Sequence, residues 1–264
     1  MKSILTFLTI FIGLNSSAQD STLNLYEKKV ELILNKIDSK EIIHDDKKDL
    51  KAIAFDLQNK GQISDESAHN YTSSLSLISK AIKIFTYLDD TLSIANNLKF
   101  RGYLLGRFGK FDEAKTEIKR AISLFRSKNK DWGIAVSNFD LSRVYDLEKK
   151  SDSAIYYCNL SLNYWKSKKD TSRIFNNQNL LIYLLTKAGQ VSRARTIQED
   201  SQILAKVPEL HWQDLIDFYF FSAGLYKKTN RPGIYKTYQE LYTTKIVLLN
   251  NEGNAAKSYY DIRP

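Results

Sequence analysis

The sequence predicts an all-α fold, an α–α superhelix stacked from antiparallel helical hairpins, and three observations lead there. Residues 106–125 read as the turn and second helix of one hairpin. Gly109 can take the left-handed backbone that ends a first helix. Asp112 and Glu113 fall in the next first turn, where carboxylates favour exposed amides, and Ala114, Ile118, Ala121, Ile122 and Phe125 share one helical face. Second, this pattern returns about every 40 residues, a period typical of stacked repeats. Third, three prolines and ten glycines in 264 residues are few for a many-turned β fold.

The register is visible residue by residue. A 40-residue shift carries Ala114 onto Ala154 and Ala194, Ala121 onto Ser161 and Ser201, and Phe125 onto Trp165. The preceding helix follows: Ala95 falls on Ala135, Leu104 on Val144 and Leu184, and Leu105 on Tyr145 and Leu185. Shifted backwards, Ala121, Ile122 and Phe125 fall on Ala81, Ile82 and Phe85. Small residues on a packing face let helices approach, and a large side chain there would overpack by roughly 1–3 kcal/mol. Downstream the frame continues with about one inserted residue near Asn230, which puts Tyr235 at the small-residue position.

Residues 95–125, with Gly102, Gly109, Phe111, Ala114 and Ala121, resemble a tetratricopeptide repeat (TPR), and 135–162 match more loosely through Leu141, Ser142, Tyr145, Ala154 and Leu162. The resemblance covers roughly residues 64–250 and is similar to the long-helix variants of bacterial regulators and kinesin light chains. It implies a right-handed solenoid in which the first helix of each hairpin lines a concave groove for a peptide or partner helix. Departures are Lys149 at the turn-glycine position, Tyr235 for alanine, and Gln198 and Gln202 on the apolar face of the third repeat.

Taken in order, residues 1–18 predict a secretory signal peptide. Lys2 supplies the positive start, Ile4 to Leu14 an apolar run too short to span a bilayer, and Ser16-Ser17-Ala18 small residues at the cleavage site. Residues 19–63 predict N-terminal capping helices: one near Thr22–Ile37 with Leu25, Val30, Ile33 and Leu34 on one side, and one near Asp45–Lys60 ended by Gly61. Ser64, with Asp65 and Glu66, is expected to cap a helix reaching Leu88. The repeats over 64–250 then predict helices near 91–107, 111–127, 131–148, 152–168, 171–187, 191–206, 211–228 and 232–250. Pro208 and Pro232 fall at boundaries, where a missing amide proton does least harm. Residues 251–264 form a C-terminal tail with Tyr259 and Tyr260.

Nothing in the sequence demands catalysis or a cofactor. His44, His69 and His211 are far apart, and none stands in a metal-binding spacing. The single cysteine, Cys158, falls on the inward face and reads as a small core residue. Asp45-Asp46 and Asp89-Asp90 sit at helix junctions, where capping explains them better than paired acid–base work. No phosphate loop or nucleophile elbow is present. The net charge of +9 comes with lysines clustered at helix ends, which capping and solubility explain; the alternative is attraction to an acidic envelope surface. No arginine-rich arm or RNA-binding aromatic motif points to nucleic acid.

The expected function is an exported, non-enzymatic TPR-like scaffold that binds a protein or peptide through its concave face. The expected location is periplasmic or secreted: no lipid-attachment cysteine follows the signal, and no transmembrane segment the mature chain. Candidate partner-binding residues on the first helices are Lys99, Tyr103, Arg107, Phe139, Arg143, Asn176, Asn179, Tyr183 and Tyr219. Aromatics and arginine offer contact area with hydrogen bonding, and the asparagines can bond a peptide backbone. Phe139, Tyr183 and Tyr219 have the alternative of packing between hairpins. The carboxylate clamp of chaperone-binding relatives is not reproduced, since Lys99 is followed by Tyr103 one turn on. Other readings are a sensor region of a signalling or transcription regulator, and a glycan-binding or hydrolytic protein on a helical scaffold.

Overall fold

The computed structural model describes residues 16–41, 47–68, 71–207 and 210–251. Residues 1–15 of the expected signal, Asp45 and Asp46, His44, His69, Pro208 and the tail from residue 252 lie outside the described residues. The described chain is helical throughout: α1 Ser16–Asp38, α2 Lys47–Ala68, α3 Tyr71–Tyr87, α4 Thr91–Arg107, α5 Phe111–Ser127, α6 Asp131–Leu147, α7 Ser151–Lys168, α8 Thr171–Lys187, α9 Val191–Leu204, α10 Trp212–Lys228 and α11 Pro232–Asn251. Sequential helices pack as antiparallel pairs, and the pairs stack into the expected all-α superhelix.

A constant turn sets the stacking. Asp89, Gly109, Asn129, Lys149, Lys169 and Gly189 all have positive φ and stand 20 residues apart. In each turn the next amide donates to the carbonyl five residues back, as Lys110 N to Leu105 O and Lys150 N to Tyr145 O, both 2.9 Å. This is the Schellman closure of a helix end. Lys149 therefore takes the same left-handed conformation as the glycine it replaces, φ 62° against 78° at Gly109. Asn230, φ 51°, resumes the pattern one residue late, where the inserted residue is expected.

The packing faces follow the repeat. Ala114, Ala121, Ala154 and Ala194 are fully buried with Ile118 and Phe125. Gly102 brings α4 against α5: a Cβ there would lie 2.6 Å from Ile118 and 2.9 Å from the Ala114 carbonyl oxygen. Gln198 does not interrupt the core. It is fully buried, donating to Tyr238 Oη at 2.6 Å and accepting from Tyr226 Oη at 2.9 Å, while Gln202 is exposed. Cys158 is also buried, against the Asn177 carbonyl oxygen at 3.4 Å, and burial pushes its thiol up to about 12.

The N-terminal helices differ from expectation. α2 runs through Gly61 to Ala68, and Ser64 lies inside it rather than at a start. Gly61 serves close approach instead of termination, since a Cβ there would meet Ile78 at 2.9 Å. α3 begins only at Tyr71.

Candidate functional site

The first helices of successive hairpins, α4, α6, α8 and α10, share one face and enclose a cavity of about 420 Å³. α4 contributes Lys99, Phe100 and Tyr103; α6 contributes Phe139, Asp140 and Arg143. α8 adds Asn176, Asn179 and Leu180, and α10 adds Gln213, Asp214, Asp217 and Phe221. The cavity opens where α6 and α8 pack less closely than the pairs α4–α6 and α8–α10.

Polar contacts about one repeat apart hold these helices together. Lys99 Nζ pairs with Asp140 Oδ2 at 3.0 Å. Arg143 Nη2 donates to Tyr103 Oη at 2.5 Å, and its guanidinium lies 3.8 Å from the centre of that ring. Asn176 Nδ2 donates to Asp214 Oδ1 at 2.6 Å, and Asn179 Nδ2 to the Asp214 carbonyl oxygen at 2.8 Å. Beside the cavity, Lys187 Nζ pairs with the buried Asp146 at 2.7 Å. Burial alone would pull the Lys187 amine down, but the hydrogen bond and charge of Asp146 outweigh it and leave the amine raised.

The charge is divided by position. Lys99 and Arg143 flank Asp140 at the α4–α6 end, while Asp214 and Asp217 stand on α10. Burial raises the Asp214 carboxyl above the usual range, against the opposing hydrogen bond from Asn176 and the charges of His211 and Arg173. Asn179 is 2 % exposed, and its Oδ1 has no hydrogen-bond partner among the described residues. A buried amide acceptor without a donor costs roughly 1–3 kcal/mol.

Six of the expected partner-binding residues, Lys99, Tyr103, Phe139, Arg143, Asn176 and Asn179, line this one cavity. Tyr103 is 3 % exposed and braces Arg143 rather than standing free. Arg107 lies outside the cavity, its guanidinium 4.1 Å from the Tyr71 ring centre. Tyr219 packs against Phe218 and Tyr238. Tyr183 lines a second cavity of about 480 Å³, with Lys187 and Thr186 of α8, Phe221, Lys227 and Lys228 of α10, and Tyr235 of α11. A third cavity, about 310 Å³, adjoins the first through Phe139, Asn176 and Asp214 and is walled by Trp165 and Arg173. The aspartates Asp140, Asp214 and Asp217 are lining residues that the sequence reading did not single out. His211 caps α10, its Nδ1 accepting from Gln213 N at 3.2 Å. Among the described residues no cluster of three or more His, Cys, Asp or Glu side chains could hold a metal, and no helix is long and apolar enough to cross a membrane.

No family model matches the chain, and no curated protein matches it. Solved structures do. BtubC (BKLC) from P. vanneervenii superposes with a TM-score of 0.64 at 14% identity, over 85% of this chain and 92% of that one. A Rap protein in complex with competence and sporulation factor superposes with a TM-score of 0.63 at 13% identity, over 89% of this chain and 65% of that one, just under two thirds of its length. The fold is thus that of a TPR-like helical repeat protein.

Proposed function

We propose that this protein is an exported, non-catalytic scaffold that holds an extended peptide segment of a partner across α4, α6, α8 and α10. The observation that carries this reading is the cavity those four helices share, walled by aromatic rings and by amide and charged groups. Its lining suits a backbone: Asn176 and Asn179 carry amides with both donor and acceptor chemistry. The superposed Rap protein was solved with competence and sporulation factor bound, which supports treating such a helical stack as a binding surface. Export rests on Lys2, the apolar run from Ile4 to Leu14, and Ser16-Ser17-Ala18.

Capture from envelope extract by the immobilised chain, followed by mass spectrometry, tests the reading. Phe139→Ala with Arg143→Ala should abolish recovery of the partner while the far-ultraviolet dichroism of the helices is retained. Undiminished capture by that folded variant would remove the groove assignment.

A further inference from the structure

The first and second cavities meet at Phe221, which lines both. They also share a wall, because one stripe of α10 runs along them. Asp214, Asp217, Phe221, Gly224 and Lys228 follow one another at three- and four-residue steps, so they occupy a single helical face. Asp214 and Asp217 line the first cavity; Gly224, Lys227 and Lys228 line the second. The stripe therefore passes from acid through an aromatic ring to base. Among the described residues, the lining of the second cavity contains Lys187, Lys227 and Lys228 and no carboxylate.

The helix dipole accounts for part of this pattern, since an acid in the first turn and lysines in the last are favourable. It does not account for Asp217, which lies a turn further in and is only 9 % exposed. Nor does it place the open space beside Gly224, where an added Cβ would meet nothing within 4 Å. At about 1.5 Å rise per residue, the acid and base ends stand roughly 15–20 Å apart. An extended peptide covers that distance in about five residues. At the acid end the cavity also takes in the side chains of Asn176 and Asn179, whose amides already bond Asp214.

We infer that the groove along α10 takes an extended peptide segment of opposite charge at its two ends. A lysine, arginine or free amine lies over Asp214 and Asp217, an apolar residue lies over Phe221, and a carboxylate about five positions away meets the exposed Lys227, while Lys228 Nζ stays on the Thr186 carbonyl oxygen at 2.6 Å. This rests on the peptide-binding reading above and gives it a charge pattern. Electrostatic complementarity of this kind discriminates between partners more than it raises affinity, so sequence preference is the quantity to measure.

Panning a displayed library of random peptides on the full chain tests it. The expected result is enrichment of sequences with Lys or Arg paired to Asp or Glu about five positions apart. Lys227→Glu, at an exposed position, should switch the selected residue at the acidic position to a basic one. Asp214→Asn should weaken the selected peptides about tenfold, the scale of one charge-assisted contact. Enriched sequences without that pairing, or a selection unmoved by Lys227→Glu, would overturn the charge pattern and leave peptide binding standing. No enrichment at all would overturn both.

Discussion

The interior of each hairpin and the face shared by α4, α6, α8 and α10 are built from opposite materials. Inside the hairpins the contacts are apolar and close: Ala114, Ala154 and Ala194 are fully buried, and Gly102 lies under Ile118. Along the shared face, successive helices are joined by Lys99–Asp140, Arg143–Tyr103, Lys187–Asp146 and Asn176–Asp214. Apolar burial supplies most of the driving force of folding, whereas an ion pair gives back much of its attraction as the desolvation of its two charges. The difference teaches that stability resides in the apolar packing within and between hairpins, and that the polar face can change without loss of the fold.

The contrast breaks first, if it breaks, at two phenylalanines. Phe125→Ala should cost about 3–5 kcal/mol, as for a large fully buried ring. Phe139→Ala, at a partly buried position on the cavity wall, should cost roughly 1 kcal/mol. Urea unfolding monitored by circular dichroism measures both, and equal costs would erase the distinction. The turns sharpen it at smaller scale. Lys149→Gly relieves a side chain held at φ 62° and should stabilise by roughly 1 kcal/mol; a drop in melting temperature would mean that the lysine side chain contributes something its backbone does not. The smallest effect is expected on the polar face, where a double-mutant cycle of Lys99→Ala and Asp140→Ala should return a coupling of about 1 kcal/mol or less. A coupling several times larger would make these contacts part of the core.

Much of this arrangement was legible in the residues. The alanines at 114, 154 and 194 marked the packing face, and helices 91–107, 111–127 and 171–187 coincide with α4, α5 and α8. The N-terminal helices were harder because glycine serves two ends. Gly109 stops a helix through its positive φ, while Gly61 continues one and uses its bare Cα to admit Ile78. Sequence spacing alone does not separate those roles. The aspartates of the cavity were hidden for another reason. Asn176 reaches Asp214, 38 residues on, but Lys99 reaches Asp140, 41 residues on. The connection between α9 and α10 lengthens the frame by one residue, as the positive-φ positions Gly189 and Asn230 show, so a strict forty-residue step from Asn176 lands on Ile216 and falls one position short of Asp217. Lys149 shows the reverse case, where an unfavourable residue type conceals a geometry the repeat had already dictated.

The evenly spaced left-handed turns bear on how such a chain can change in length. Because Asp, Asn, Lys and Gly all occupy the same turn geometry, closure depends on backbone hydrogen bonds rather than on one residue's identity. A hairpin could be duplicated or excised between two of these turns with its neighbours still meeting in phase. What such an edit would alter is the number of rungs available to an occupant, and hence the length of segment the protein can read.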